Sequence, residues 1–186
     1  MSQPFTFASY HPGVIADIIA LHMAYYGPTW GFGRAFEAKL AEEMGEFHRR
    51  YHDQRDLFTA AYDDGGRLLG TVTVDGVAAH QEGAHLRWFI VAEAARGQGL
   101  GAALMARVEA FLTERGYGRA YLTTFRGLDA ARALYERHGF QLVAEEAVDP
   151  WSGDVGLQRF ERREPPRPET PHQRHHGYAG PKQVVG

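Results

Sequence analysis

Trp88-Phe89-Ile90-Val91-Ala92-Glu93-Ala94-Ala95-Arg96-Gly97-Gln98-Gly99-Leu100-Gly101-Ala102 is the stretch around which the rest of the chain is organised. It opens with the apolar run Trp88 to Val91, the pattern of a strand covered on both faces. It then passes through Arg96-Gly97-Gln98-Gly99-Leu100-Gly101 and runs directly into a helical pattern. Strand, glycine loop and helix together make a grip for a phosphate. Glycine lets the backbone turn sharply and come close to an oxyanion, and the helix start presents unpaired N–H groups at the positive end of the dipole. Arg96 adds a fixed positive charge at the mouth.

The surrounding residues narrow the kind of phosphate ligand. Gly97, Gly99 and Ala102 satisfy the dinucleotide spacing G-x-G-x-x-A, but no acidic residue ends the next strand, Ala120–Thr124, to meet a ribose hydroxyl. No Lys-Ser or Lys-Thr follows the glycines, which excludes a Walker-type loop. The pattern that fits is Arg/Gln-x-x-Gly-x-Gly/Ala, and it resembles the pyrophosphate-binding motif of the GNAT superfamily of acetyl-CoA-dependent N-acetyltransferases. A second block supports the likeness: Ala131-x-x-Leu134-Tyr135-x-x-x-Gly139-Phe140. The two blocks cover roughly Leu86 to Val143. The wording Thr124-Phe125-Arg126-Gly127-Leu128-Asp129-Ala130-Ala131 is similar to the acetyltransferase half of MarR–GNAT fusion proteins, without a winged-helix half beside it.

Composition sets the bounds. With 186 residues, 44% of them hydrophobic, the chain can bury one sizeable core and is most simply one domain. A net charge of −3 gives no sign of a nucleic-acid binder. Residues 1–93 carry 7 Lys/Arg against 12 Asp/Glu, whereas residues 94–140 carry 7 Arg against 4 Asp/Glu. The basic half suits a cofactor with several phosphates, and the acidic half suits a cationic amine. Cysteine is absent, so there is neither a disulfide frame nor a thiol nucleophile. No apolar stretch approaches a membrane span and the start has no signal-peptide character, so no membrane partner and a cytoplasmic location are expected. From Glu164 the composition changes: five of the nine prolines fall in 164–186. The expected division is a catalytic domain over 1–163 and a flexible Pro-rich tail over 164–186.

Taken in order, Pro4–Phe7 reads as a short strand and Val14–Tyr26 as a helix that Gly27-Pro28 stops. Gly27-Pro28-Thr29-Trp30-Gly31-Phe32-Gly33 reads as a loop, and Arg34–Tyr51 as a second helix with Phe36, Leu40, Met44, Phe47 and Tyr51 on one face. Leu57–Tyr62 and Leu68–Val74 are strands around the turn Asp63-Asp64-Gly65-Gly66. The polar break Ala79–Gly83 leads to the central strand. Leu100, Ala103, Leu104, Val108, Phe111 and Leu112 make an amphipathic helix capped by Gly116. The strand Ala120–Thr124, the helix Asp129–His138, and strands Phe140–Glu145 and Val155–Phe160 follow. The resemblance implies an α+β fold of the GNAT acyltransferase type. Its mixed central sheet would have six or seven strands, helices on both faces, and a cleft where the central strand splays from Ala120–Thr124.

Transfer of an acetyl group from a thioester to an amine requires three things. The amine must lose a proton, the developing oxyanion needs donors, and the departing thiolate needs a proton. Without cysteine, direct attack in a ternary complex is favoured over an acyl-enzyme. Periodicity alone makes Tyr135 an inward-facing tyrosine; the resemblance places it where the family carries its thiolate-protonating tyrosine. The family's base position, eleven residues before Arg96, falls on His85. Glu82 is a second candidate, and a water chain a third. The resemblance further implies acetyl-CoA as acyl-donor cosubstrate, held by Arg96, Gly97, Gln98, Gly99, Leu100, Gly101 and Ala131. Backbone groups along Phe89, Ile90 and Val91 would meet the pantetheine arm. Leu128 departs from the pattern, since an Asn often stands there. Trp30, Phe32 and Glu37 lie in or just after the loop that lines the acceptor site in similar folds. The acceptor expected is a primary amine on a small molecule or a protein, and a homodimer is left open. A non-catalytic acyl-CoA-binding module is the alternative. His48 and His52 stand four apart on a helix face but lack a third ligand, so solvent exposure is expected and no metal. His172, His175 and His176 fall in the tail.

Overall fold

Helix α1 (Val14–Trp30) and helix α2 (Arg34–Arg49) lead the chain and pack Val14, Ile18, Tyr26, Phe36, Leu40, Met44 and Phe47 against the sheet. The computed structural model describes residues 5–163. Pro4, with which the first strand was expected to begin, and the tail histidines lie outside them; the strand described is β1 (Thr6–Ala8). Helix α1 runs four residues further than its glycine-proline pair suggests. Pro28 sits inside it, the Thr29 hydroxyl donates to the Tyr25 carbonyl (2.6 Å), and the helix ends at Gly31, whose φ of 67° lets its N–H close on the Gly27 carbonyl. The expected seven-residue loop therefore shrinks to Gly31-Phe32-Gly33, and Trp30 belongs to the helix.

The remaining strands are β2 (Leu57–Tyr62), β3 (Leu68–Asp75), β4 (Ala84–Val91), β5 (Arg119–Phe125), β6 (Gln141–Glu146) and β7 (Leu157–Arg163). They form one sheet in the order β1-β2-β3-β4-β5-β7-β6. The pairing is antiparallel except between β4 and β5, which run parallel and meet only at Ala84↔Ala120 and His85↔Tyr121. Beyond those two positions the strands part, as the resemblance implied. Helix α3 (Leu100–Arg115) crosses from β4 to β5 and ends at Gly116 in the left-handed conformation; helix α4 (Asp129–Arg137) follows β5. A short 3-10 turn, Glu93–Ala95, joins β4 to the glycine loop.

The sheet separates two cores. Leu100, Leu104, Met105, Val108, Leu134, Tyr135 and Phe140 bury one face under α3 and α4, while residues of α1 and α2 bury the other with Trp88, Ile90 and Phe125. Strand β4 contributes to both, because its alternation is reversed midway. Thr71 faces Ile90 and Thr73 faces Arg87, so Trp88 and Phe89 together stand opposite Val72. Trp88 takes a φ of 50° at this bulge. Before it, Ala84 and Leu86 join the α3 core; after it, Trp88 and Ile90 join the α1 core. The apolar run at the head of the quoted stretch is thus covered on both faces.

Candidate active site

Between the parted ends of β4 and β5 lies a cavity of about 570 Å³ that reaches the N-terminus of α3 and the first turn of α4. Gly97 (φ 74°) and Gly99 (φ 82°) hold left-handed conformations open only to glycine at low cost. No side chain caps α3, no acidic residue stands in its first turn, and the helix's own bonds begin with the Ala103 N–H on the Gly99 carbonyl. The preceding N–H groups and the dipole are left to a ligand. Gly101 lines the same cavity: a Cβ there would stand 3.3 Å from Leu134 Cδ2. Arg96 stacks its guanidinium over the Tyr25 ring at 4.8 Å and lines the mouth. These residues fit an elongated ligand carrying a diphosphate. The edge of β4 that faces the gap has no partner strand past His85, so its backbone groups are open to an extended polar chain.

A second cavity, about 280 Å³, lies on the α1–α2 side. Tyr26, Phe89, Thr124 and Tyr135 line both cavities, so the two spaces meet at these side chains through the split in the sheet. Tyr135 comes from α4, is 4% exposed, and packs edge-on to Phe89 at 5.7 Å. Its hydroxyl has no hydrogen-bond partner among the described residues. Burial, then the neighbouring Tyr26, pushes its pKa far up, so the phenol keeps its proton.

The wall of the second cavity is aromatic, with Phe36, Trp88, Phe125 and Trp151, and it carries His22, Lys39, Glu43, His85 and Arg87. Arg87 donates to Glu43 (2.6 Å) and to Asp75 (3.4 Å) and lies 4.3 Å over the Trp88 ring. Asp75 is also gripped by both terminal nitrogens of Arg50, and Lys39 pairs with Glu43. His85 stacks on Tyr121 at 4.3 Å; burial first, then Arg87 and Arg159, lower its pKa to about 3. His22 is 4% exposed, and its Nδ1 donates to the Ile18 carbonyl at 2.8 Å.

Of the residues expected at the site, Phe89, Ile90, Val91, Arg96, Gly97, Gly99, Leu100, Gly101, Ala131 and Tyr135 all line the first cavity. Gln98 does not: its side chain turns back to donate to the Ala94 carbonyl at 2.8 Å. Leu128 occupies the N-cap of α4, where an Asn would cap the helix, and no side chain caps it. His85 lines the second cavity, whereas Glu82 sits exposed in the turn before β4 and lines neither. The three residues expected around an acceptor also line neither. Phe32 is 3% exposed in the aromatic core, Glu37 points outward from α2, and Trp30 packs on Phe125 at 5.3 Å. His48, expected in solvent, instead packs its half-buried ring on Phe58 at 4.8 Å, which lowers its pKa. Among the described residues, no group of three or more His, Asp or Glu side chains is placed to hold a metal, and no helix is long and apolar enough to cross a membrane. Sequence reasoning did not bring His22, Tyr26, Lys39, Glu43, Arg87 and Trp151 to a cavity wall, where the structure puts them. His22 and Tyr26 recur on the apolar face of α1, where they are indistinguishable from packing residues.

Residues 15–140 match the model of the acetyltransferase (GNAT) family. A curated relative, N-acetyltransferase 8 of Rattus norvegicus, is 29% identical over 126 residues, 65% of this chain; the match spans only 57% of that protein's length. Among solved structures, a GNAT-family acetyltransferase from Staphylococcus aureus Mu50 superposes with a TM-score of 0.69 at 16% identity, covering 86% of this chain and 98% of that one. A spermidine N-acetyltransferase from Vibrio cholerae, in complex with CoA and spermine, gives 0.64 at 19% identity, with 87% and 96% covered. These two likenesses are of fold.

Proposed function

The chain belongs to the acetyltransferase (GNAT) family, and on that premise we propose that it is an N-acetyltransferase moving an acetyl group from acetyl-CoA to a primary amine by direct attack within a ternary complex. The observation that carries this reading is the meeting of two cavities at Tyr26, Phe89, Thr124 and Tyr135, one reaching the glycine loop and the uncapped N-terminus of α3 and one walled in large part by aromatic side chains. Acetyl-CoA supplies an activated acetyl thioester. Arg96 and the first-turn N–H groups of α3 hold the diphosphate, and the open edge of β4 binds the amide-bearing arm. That aims the thioester at the junction. Tyr135, which lines the junction and stays protonated there, is the group that would give the leaving sulfur its proton.

The acceptor cavity is small and lined mostly by aromatic and aliphatic side chains, which favours an amine on a compact apolar body over a lysine in a folded protein surface. Its fixed charges, Lys39, Glu43 and Arg87, already pair with one another or with Asp75. Little free negative charge is left there to attract a polycation. Of the two bases the sequence offers, His85 faces this cavity and Glu82 does not, yet Arg87 and Arg159 oppose the charge His85 would take on. The test is release of CoA when acetyl-CoA is mixed with the protein and a panel of primary amines, aryl-alkyl and aliphatic. Binding of acetyl-CoA without release by any amine would leave only an acyl-CoA-binding module.

A further inference from the structure

Resting on that reading, we propose that His22 is the proton acceptor for the incoming amine. The sequence treats it as one more residue on the buried face of α1. The structure gives it a different set of properties. Its Nδ1 is committed to the Ile18 carbonyl, and a carbonyl can only accept, so the proton sits on Nδ1 and Nε2 carries the lone pair. That Nε2 has no partner among the described residues. The ring lines the acceptor cavity, and Nε2 is the one polar atom it has left to offer there.

The position along α1 is also suitable. Tyr26 lies one turn on, its ring 5.9 Å from that of His22, and lines both cavities. An amine held in that cavity beside the junction therefore lies within the same wall as His22. The titratable groups sharing that wall are Tyr26 on α1, Lys39 and Glu43 on α2, His85 and Arg87 on β4, and Tyr135 on α4. Glu43 is saturated by Lys39 and Arg87, and the other charged groups are cations. No hydrogen bond within the protein fixes the His85 tautomer among the described residues, and its ring is stacked on Tyr121. His22 is thus the base with a fixed, available lone pair. Burial opposes a charge on its ring as it does on His85, so the bound Nδ1–H and the open Nε2 are what separate the two. The resting ring stays neutral with that lone pair free.

The ammonium of the acceptor gives one proton to Nε2, and its freed lone pair forms the N–C bond at the thioester carbonyl carbon while the C–S bond breaks. The sulfur leaves with the phenolic proton of Tyr135. The nitrogen sheds its second proton, which restores that phenol, and the His22 imidazolium releases its proton to solvent. The products are a secondary amide, CoA thiol and one solvated proton.

His22→Asn tests this, because an asparagine amide can still reach the Ile18 carbonyl while the basic nitrogen is gone; His22→Gln is the second variant. Wild type must first release CoA with at least one amine; if it does not, the acetyltransferase reading fails, and this proposal with it. With an active wild type, both variants should keep the acetyl-CoA-induced rise in melting temperature. They should lose about 10²–10⁴-fold in kcat at pH 7. The loss should shrink as the pH approaches the amine's own pKa, since the amine then arrives already deprotonated. His85→Gln should show no such pH-dependent recovery. Unchanged turnover, a loss equal at every pH, or disappearance of the cofactor-induced melting shift in both variants would each overturn the proposal and make His22 a packing residue.

Discussion

Tyr26 and Tyr135 approach the split between β4 and β5 from opposite faces of the sheet, and both line the two cavities that meet there. Neither hydroxyl has a hydrogen-bond partner among the described residues, and burial raises the pKa of both. Such an arrangement is expected where a ligand completes the hydrogen bond. Tyr135→Phe removes the proton donor and keeps the ring against Phe89 and Phe160. Its fold stability should be close to that of the parent, because no internal hydrogen bond is lost. The turnover number should fall about 10²–10⁴-fold with acetyl-CoA affinity unchanged, as steady-state kinetics beside calorimetric titration would reveal. Unchanged turnover would return Tyr135 to a packing role.

The glycine loop makes a separate prediction. At Gly99 no heavy atom lies within 4 Å of an added Cβ, so bulk alone is tolerated, but a φ of 82° strains any L side chain by about 1–2 kcal/mol. Gly99→Glu adds a negative charge at the end of α3 where the diphosphate is expected. The variant should fold with that modest loss and show no melting shift with acetyl-CoA. For the parent, the ligand at one hundred times its dissociation constant should add about 2.7 kcal/mol. A parent protein indifferent to millimolar acetyl-CoA would sink the cofactor assignment.

The cofactor side was legible because its chemistry is local in sequence. Arg96 to Gly101 are contiguous, and Ala131 and Tyr135 lie about one turn apart on one helix, so a short pattern with a family resemblance points to them. The second cavity, proposed for the acceptor, is assembled from α1, α2, β4, β5 and the segment around Trp151, and no short pattern marks it. Lys39 and Glu43, an i,i+4 pair, read as a solvated helix face. Phe32, flanked by glycines, read as a loop contact, yet it closes the core with Phe36 and Phe125. The bulge at Trp88 is equally silent in sequence: strict alternation would put His85, Arg87 and Phe89 on one face, whereas the extra residue sends Phe89 to the α3 side.

Among the described residues, both cores and seven strands are assembled by Arg163, where β7 ends. Residues 164–186 hold five of the nine prolines and few apolar side chains. A chain cut after Arg163 is therefore expected to melt where the full chain does and to keep its response to acetyl-CoA. Aggregation or a markedly lower melting temperature would assign the tail a part in the fold.

Acid sensitivity follows from the histidines. Burial lowers the pKa of His22 from 6.5 to about 4, and burial with Arg87 and Arg159 lowers that of His85 to about 3. As the pH falls through about 6.5, the unfolded chain takes up protons at both residues while the folded chain does not. The unfolded state binds more protons in that window, so stability falls with falling pH. At roughly 1.4 kcal/mol per unit, His22 should withdraw about 2 kcal/mol between pH 7 and pH 5, and His85 acts in the same direction. Carboxylates do not mask this. Asp75, whose carboxyl Arg50 holds low against its own burial, keeps most of its stabilising contribution down to about pH 4 and loses it below, in the same direction as the histidines. Urea unfolding at pH 7, 6 and 5 should show the decline, and His22→Gln should flatten it by roughly its own 2 kcal/mol share. A stability at pH 5 equal to that at pH 7 would mean that neither imidazole is held neutral by the fold.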